Sequence, residues 1–362
     1  MFFYDVPNLL GVLILVTISF RMGLIPLWML FFLSLFSFIP FILNDVIFPT
    51  KYMPDQIRYF WYVQQLRDLD FELLINTKLV VSSWMLALIP LPYVETVNSL
   101  GFFSRLMATA LIIWLYSSKN IRGWPLLFMM FYPSFLLYSS LGLRDTLVLM
   151  FMMTSVIFFI ENKRILALIV ASPLLYIKFQ NFFLLILFFI VHLYFAKGSL
   201  FYRYRFIFLG LVLAILIPYL TLIIELLNFY RAALFAEDGG DMNKYIPVDS
   251  FSDFLLLCFQ AAPYFLMKPW PWESSNLMQI IQSIENMFLL LFLIFIFSKA
   301  YKLDKNISIK WLIYLILAMG VYGMVVYNFG TAVRYKFPFI LIVIIGIAYE
   351  LYLKHGKFIS NK

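Results

Sequence analysis

Thirteen apolar blocks of 13 to 22 residues run along this chain, near residues 7–20, 24–43, 79–94, 101–116, 124–141, 146–160, 165–177, 182–196, 206–227, 254–267, 284–298, 311–328 and 337–353. A helix of about 20 apolar residues crosses a hydrocarbon core roughly 30 Å thick. Lipid offers no hydrogen bonds, so a spanning segment must satisfy its own backbone groups, and blocks of this length do so as helices. Only 13% of the residues are charged, against about 25% in soluble domains. The sequence therefore predicts an all-α, polytopic transmembrane bundle, and a soluble fold is excluded. The 42 Phe and 23 Tyr predict a bundle packed with rings. The single cysteine, Cys258, rules out an intrachain disulfide, and no zinc-type Cys/His spacing occurs, so no metal or other cofactor is expected. The N-terminus MFFYDVPNLL lacks a basic signal-peptide region and reads as the start of a mature chain.

Charge sets the topology. Five short connections are basic: Lys119 and Arg122; Lys163 and Arg164; Lys197, Arg203 and Arg205; Lys299, Lys302, Lys305 and Lys310; and Lys354, Lys357 and Lys362. They hold 14 of the 27 Lys and Arg with only two acids, Glu161 and Asp304. The positive-inside rule makes these segments, and with them the C-terminus, cytoplasmic. By parity, residues 142–145, 178–181, 228–283 and 330–336 face outward. The block 254–267, interrupted by Pro263, then does not cross; it is expected to be an interfacial or re-entrant helix inside a large external loop, 228–283. If 79–94 spans, there are twelve helices. If it lies in the interface with its Pro90 and Pro92, there are eleven, and 44–100 is a first external loop with interfacial helices. The absence of basic bias in 44–78 and the amphipathic QIRYFWYVQQLRDL favour eleven. No soluble domain or repeat is visible, so 1–362 is expected to be one transmembrane domain.

Ionisable groups near helix ends on one face of a membrane protein are functional candidates because burying them is costly. Asp55 and Arg58 in the first loop form either a solvated pair or a carboxylate facing a polar substrate. In YPSFLLYSSLGLRDTL, Arg144 and Asp145 sit between two apolar helices. Asp145 could simply cap a helix starting at Thr146, but Arg144, with its planar fork of donors, suits a phosphate. Lys178 and Gln180 lie at a short external hairpin. Lys268, Trp270, Trp272 and Glu273 cluster in MKPWPWESSN, either as part of an aromatic belt or as a sugar-binding shelf. Arg334, Tyr335 and Lys336 stand at the mouth of the last helix, where an extended GTAVRYK would align both cations. Arg105 adds a cation near the external start of 101–116. Cations at headgroup depth point to a lipid phosphate or pyrophosphate, and the carboxylates Asp55 and Asp145 to proton abstraction.

This layout resembles membrane glycosyltransferases of the GT-C type, and most closely bacterial O-antigen or exopolysaccharide repeat-unit polymerases (Wzy type). The resemblance is carried by Asp55, the interfacial helix before Arg105, Pro133 with Ser139-Ser140 and Arg144-Asp145, PWPWE with the downstream SIEN, and NFGTAVRY. It implies a multi-pass enzyme of the bacterial inner membrane acting on undecaprenyl-pyrophosphate-linked repeat units on the external face. Its expected partners are a polyprenyl-linked glycan donor and acceptor, the lipid bilayer and other polysaccharide-assembly proteins, with no nucleic acid. One alternative is a GT-C transferase using a polyprenyl-monophosphate sugar. Another is a lipid-linked-glycan flippase or transporter without chemistry, which would carry charge in mid-helix, where this sequence shows little.

Overall fold

The computed structural model describes residues 2–44, 46–47, 53–70, 77–119, 121–196, 198–237 and 240–356. Lys197, Lys357 and Lys362 of the basic connections lie outside the described residues. The protein is all-helical, with no strand among the described residues. In chain order the helices are α1 Phe2–Arg21, α2 Leu27–Phe36, α3 Ile39–Leu43, α4 Asp55–Arg67, α5 Thr77–Ala87, α6 Val97–Lys119, α7 Trp124–Phe131, α8 Pro133–Tyr138, α9 Asp145–Ile160 and α10 Arg164–Ala171. They continue with α11 Leu174–Ile177, α12 Phe179–Phe195, α13 Leu200–Arg203, α14 Arg205–Leu216, α15 Leu220–Glu237, α16 Phe251–Met267, α17 Leu277–Leu303, α18 Lys305–Gly323 and α19 Phe329–His355. Five of them, α1, α6, α17, α18 and α19, are long and apolar enough to cross a membrane by length and composition.

Several blocks that read as continuous helices are broken at proline. Pro40, Pro133, Pro173 and Pro218 stand at the α2–α3, α7–α8, α10–α11 and α14–α15 breaks. Proline lacks the N–H that would continue the ladder and clashes with the preceding turn, at a cost of about 3 kcal/mol inside a helix. The block 79–94 ends as a helix at Ala87, ahead of Pro90 and Pro92. Arg67 of α4 closes that end, donating to the carbonyls of Ala87, Ile89 and Leu91 at 2.7–3.2 Å. Residue 228, taken from the sequence as the start of a loop, lies inside α15, because Pro218 restarts the helix late and it runs on to Glu237.

The described contacts divide the chain, without any boundary visible in the sequence, into two compact units: residues 1–185 with 348–362, and 186–347. In the first unit α6 is the central element. It packs on α1, α3, α4, α7 and α9, and α10 packs on α9. Its N-terminus is set by a reciprocal pair, Ser99 N–H to Thr96 Oγ1 (3.3 Å) and Thr96 N–H to Ser99 Oγ (3.2 Å). The buried Asp5 of α1 accepts both hydroxyls at 2.6 Å, placing a carboxylate at the positive end of the α6 dipole. In the second unit α16 packs on α18 and α17. Gly323 permits that approach, because a Cβ there would run into the Ala261 carbonyl.

The far end of the first unit holds a charged knot. Glu161, just past α9, accepts from Lys119 at 2.5 Å, Lys163 at 2.8 Å and the Tyr349 hydroxyl at 2.7 Å. Burial alone would raise the Glu161 carboxyl, but the hydrogen bonds from Lys119, Lys163 and Tyr349 outweigh it and hold it down at about 2. A depressed carboxyl contributes stability that is complete above its unfolded pKa, about 4.3, and is lost as pH falls towards about 2. Glu161→Gln is expected to lower thermal stability in detergent at pH 7 by about 2 kcal/mol, from weakened charge-assisted bonds. The gap to the parent should narrow as pH falls from about 5 to about 3. A gap independent of pH would remove the carboxylate from this account.

Candidate functional site

A further set of polar groups in the first unit lies around the turn between α8 and α9. Pro133 restarts the helix as α8, which lasts six residues, and residues 139–144 turn before α9 begins at Asp145. Gly101 lets α6 pass against this turn, since a Cβ there would strike the Ser140 carbonyl. Two turns into α6, Arg105 is 1% exposed. Its Nη2 donates to the Leu136 carbonyl at 2.9 Å and to the Ser140 hydroxyl. Ser104 Oγ donates to the Leu143 carbonyl at 3.3 Å. From α4, Gln56 Oε1 accepts the Gly142 N–H at 3.1 Å, and its Nε2 donates to Asn44 Oδ1 at 3.2 Å. Asn44 in turn donates to Asn98 at 2.8 Å. On the other side of the turn Arg144 Nη1 donates to the Ile177 carbonyl at 2.7 Å. That carbonyl is free because Lys178 breaks the path between α11 and α12. Buried Lys178 lies 3.7 Å from buried Asp145.

Arg105, Arg144, Asp145 and Lys178, chosen from separate segments of sequence, thus all lie along the α8–α9 segment, Arg105 at its start and the other three at its end. Asp55 and Arg58 do not join it. They pair with each other at 3.9 Å on the first turn of α4, with 42% and 65% of their side chains exposed. The amphipathic helix turns Gln56, Tyr59, Val63 and Leu66 inward instead, so the buried member of that motif is the amide, which the sequence reading passed over. Gln180 is exposed, while its neighbour Asn181 is buried and donates to Met152 Sδ at 3.1 Å. The simple capping role for Asp145 is corrected: α9 starts at Asp145, Arg144 occupies the N-cap position, and no side chain caps it.

In the second unit the cations have different surroundings. The expected extended GTAVRYK is helical, because Asn328 Oδ1 accepts from Gly330 N (2.8 Å) and Thr331 N (3.4 Å) and starts α19 at Phe329. Arg334 and Lys336 therefore do not align: Lys336 is buried, while Arg334 and Tyr335 are half-buried, with Tyr335 against Tyr322. Lys336 Nζ donates to the carbonyls of Leu266 and Lys268 and to Asn286 Oδ1. Lys268 reaches the Val326 carbonyl at 3.2 Å. Arg231, another cation the sequence reading missed, donates to the Met324 carbonyl at 2.7 Å. Trp270 and Trp272 stack, and Glu273 accepts from Trp270 N and the Tyr264 hydroxyl.

Arg105 and Lys336 both stand two turns inside helices long enough to cross, deeper than the ends where the sequence placed them. Lys336 has three N–H groups and three acceptors, so it has nothing left for a ligand. Arg105 and Arg144 do: each keeps a buried Nε–H without a hydrogen-bond partner, as does the Ser139 hydroxyl. Neither arginine has a carboxylate within ion-pair distance among the described residues. Among the described residues no group of His, Cys, Asp or Glu could hold a metal ion. No family model matches the chain, and neither a curated protein nor a solved structure matches it.

Gln56 fixes the turn that carries this cluster. Gln56→Met preserves shape but leaves the Gly142 N–H and Asn44 Oδ1 unmet, at about 1–3 kcal/mol. The expected outcome is a lower unfolding temperature of the purified full chain. An unchanged midpoint would show that the turn holds without it.

Proposed function

We propose that this chain is a membrane glycosyltransferase of the polymerase type, joining undecaprenyl-pyrophosphate-linked repeat units on the external face of the bacterial inner membrane. The observation that supports it is the positive charge of buried Arg105 and half-buried Arg144, each with a buried Nε–H to spare beside one turn. Buried cations without counter-ions are costly, and an anionic ligand removes the cost. At headgroup depth that anion is the phosphate of a lipid carrier. An arginine fork matches phosphate oxygens in pairs, and donors set in advance stabilise the charge growing on a departing pyrophosphate. Asp145 is the carboxylate of the cluster and the candidate base for the acceptor hydroxyl. Asp55, exposed on α4 and paired with Arg58, stays in this reading only as a surface contact for the substrate.

The eleven-span topology belongs to this reading. The chain has shorter apolar helices, including α9, α12 and α16, in addition to the five long ones, and α16 packed on α18 fits a re-entrant segment. The transport alternative gains one point from the structure, the depth of Arg105 in α6. Arg105 stands eight residues into the 23-residue α6, three short of its middle, and its Nη2 serves the Leu136 carbonyl and the Ser140 hydroxyl beside the α8–α9 turn.

Arg144→Ala is expected to abolish polymer and accumulate single lipid-linked repeat units at normal protein level, with Arg144→Lys rescuing poorly. Full-length polymer in the alanine variant would return Arg144 to capping the Ile177 carbonyl alone. For topology, cysteines at Asp241 and Lys302 in a Cys258→Ser background should label oppositely with an impermeant thiol reagent. Equal labelling from outside would reverse the sidedness on which the reading depends.

A further inference from the structure

An ammonium group without exposed surface inside an apolar helix costs several kcal/mol unless its donors are met. Lys336 meets all three at 2.6–3.0 Å, two of them on the carbonyls of Leu266 and Lys268. The third acceptor, Asn286, returns its Nδ2 to the carbonyls of Met267 and Lys268 at 3.0 and 2.9 Å. Ser283 Oγ donates to the Pro269 carbonyl at 2.9 Å, and Ser274 Oγ to that of Trp270 at 3.1 Å. Both carboxylate oxygens of Glu273 are occupied at 2.9 Å, by Trp270 N–H and the Tyr264 hydroxyl. All of these bonds fix one short segment, 266–274. Its most exposed feature is an indole pair with centroids 4.9 Å apart and planes within 12°, of which Trp272 is 77% exposed.

A tryptophan that merely anchors a helix in the interface needs no such scaffold, because its amphipathic ring partitions there unaided. A binding surface does need one, since a platform fixed in advance loses little entropy on binding. The ligand class follows from what the segment presents. Lys268 and Lys336 are buried with their ammonium groups on carbonyls, so no cation is offered to an anion. What remains is a flat aromatic face beside the exposed Ser275 and Asn276 that lead into α17, suited to the C–H face of a sugar ring.

We propose that residues 266–273 form a preorganised platform for a pyranose ring, with Trp272 as the stacking side chain and Lys336 and Asn286 as positioning residues. This deepens the glycan reading and depends on it only for naming a sugar. It also moves Lys336 from phosphate ligand to scaffold.

The test uses the full chain in nanodiscs, with maltotriose, cellotriose and chitotriose as probes in saturation-transfer NMR. At least one trisaccharide is expected to show ring-proton transfer that Trp272→Ala abolishes and Trp272→Phe retains in weaker form. Lys336→Met should weaken binding about tenfold. If that variant does not fold, Asn286→Asp keeps an acceptor for Lys336, loses both bonds to the segment, and should weaken trisaccharide binding measured well below its own melting point. No transfer to any of the three sugars overturns the proposal. So does transfer to phosphocholine in their place, or quenching of the Trp272 fluorescence (wild type minus Trp272→Phe) by brominated acyl chains. The Arg144 result reports on the anion site separately, so failure of either reading is distinguishable from failure of the other.

Discussion

Carbonyls released where helices break in apolar surroundings are the constraint on which the rest of this structure depends. An unmet backbone group in such a setting costs several kcal/mol, and this chain breaks its helices repeatedly at proline. The remedy recurs with different side chains. Arg67 takes three carbonyls beyond α5, Arg105 takes that of Leu136, Arg144 that of Ile177, Arg231 that of Met324, and Lys336 those of Leu266 and Lys268. Long cationic side chains suit the task because they reach across a turn and complement the negative end of a helix dipole.

That use of cations changes how a basic residue near a helix end should be weighed. A lysine or arginine retained between apolar segments is explained in part by the proline next to it, before any ligand is invoked. What separates structural from functional candidates is how many donors remain after the backbone is served. A lysine offers three and an arginine five. Lys336 is exhausted, whereas Arg105, Arg144 and Arg231 each serve the backbone and still hold a buried N–H in reserve. Two of these arginines flank the α8–α9 turn, and the anion site is proposed there on their joint surplus.

Helical class was legible in the sequence because apolar block length is a direct consequence of burying backbone in lipid. Parity put Arg105, Arg144, Asp145 and Lys178 on one face together with Lys268, Arg334 and Lys336, and could not tell which of these would meet at one turn. Helix starts were harder, because caps are polar and fall outside an apolar count. The Thr96–Ser99 pair begins α6 four residues before its apolar block, and Asn328 begins α19 eight residues before its own. These shifts put Arg105 and Lys336 two turns deep. Asp5 and Gln56 were invisible for a different reason. Each acts on a partner distant in sequence, Thr96 and Ser99 for one and Gly142 for the other, and no local pattern announces such a pairing.

The two acids of the basic connections show how far local signals reach. Asp304 caps α18, accepting from Asn306 N and Ile307 N at 2.9 and 3.1 Å, and is readable from its place before a helix. Glu161 serves three donors from α6, the α9–α10 connection and α19, and only the fold reveals that. Neither is surplus charge. With both spent on structure, the net positive character of those connections is undiminished as an orientation signal, since acids contribute little to it in any case. The same division applies around α8 and α9: Asp145 is engaged by Lys178, so the positive charge there without an ion pair is that of the two arginines, which is the charge the proposed anion would neutralise.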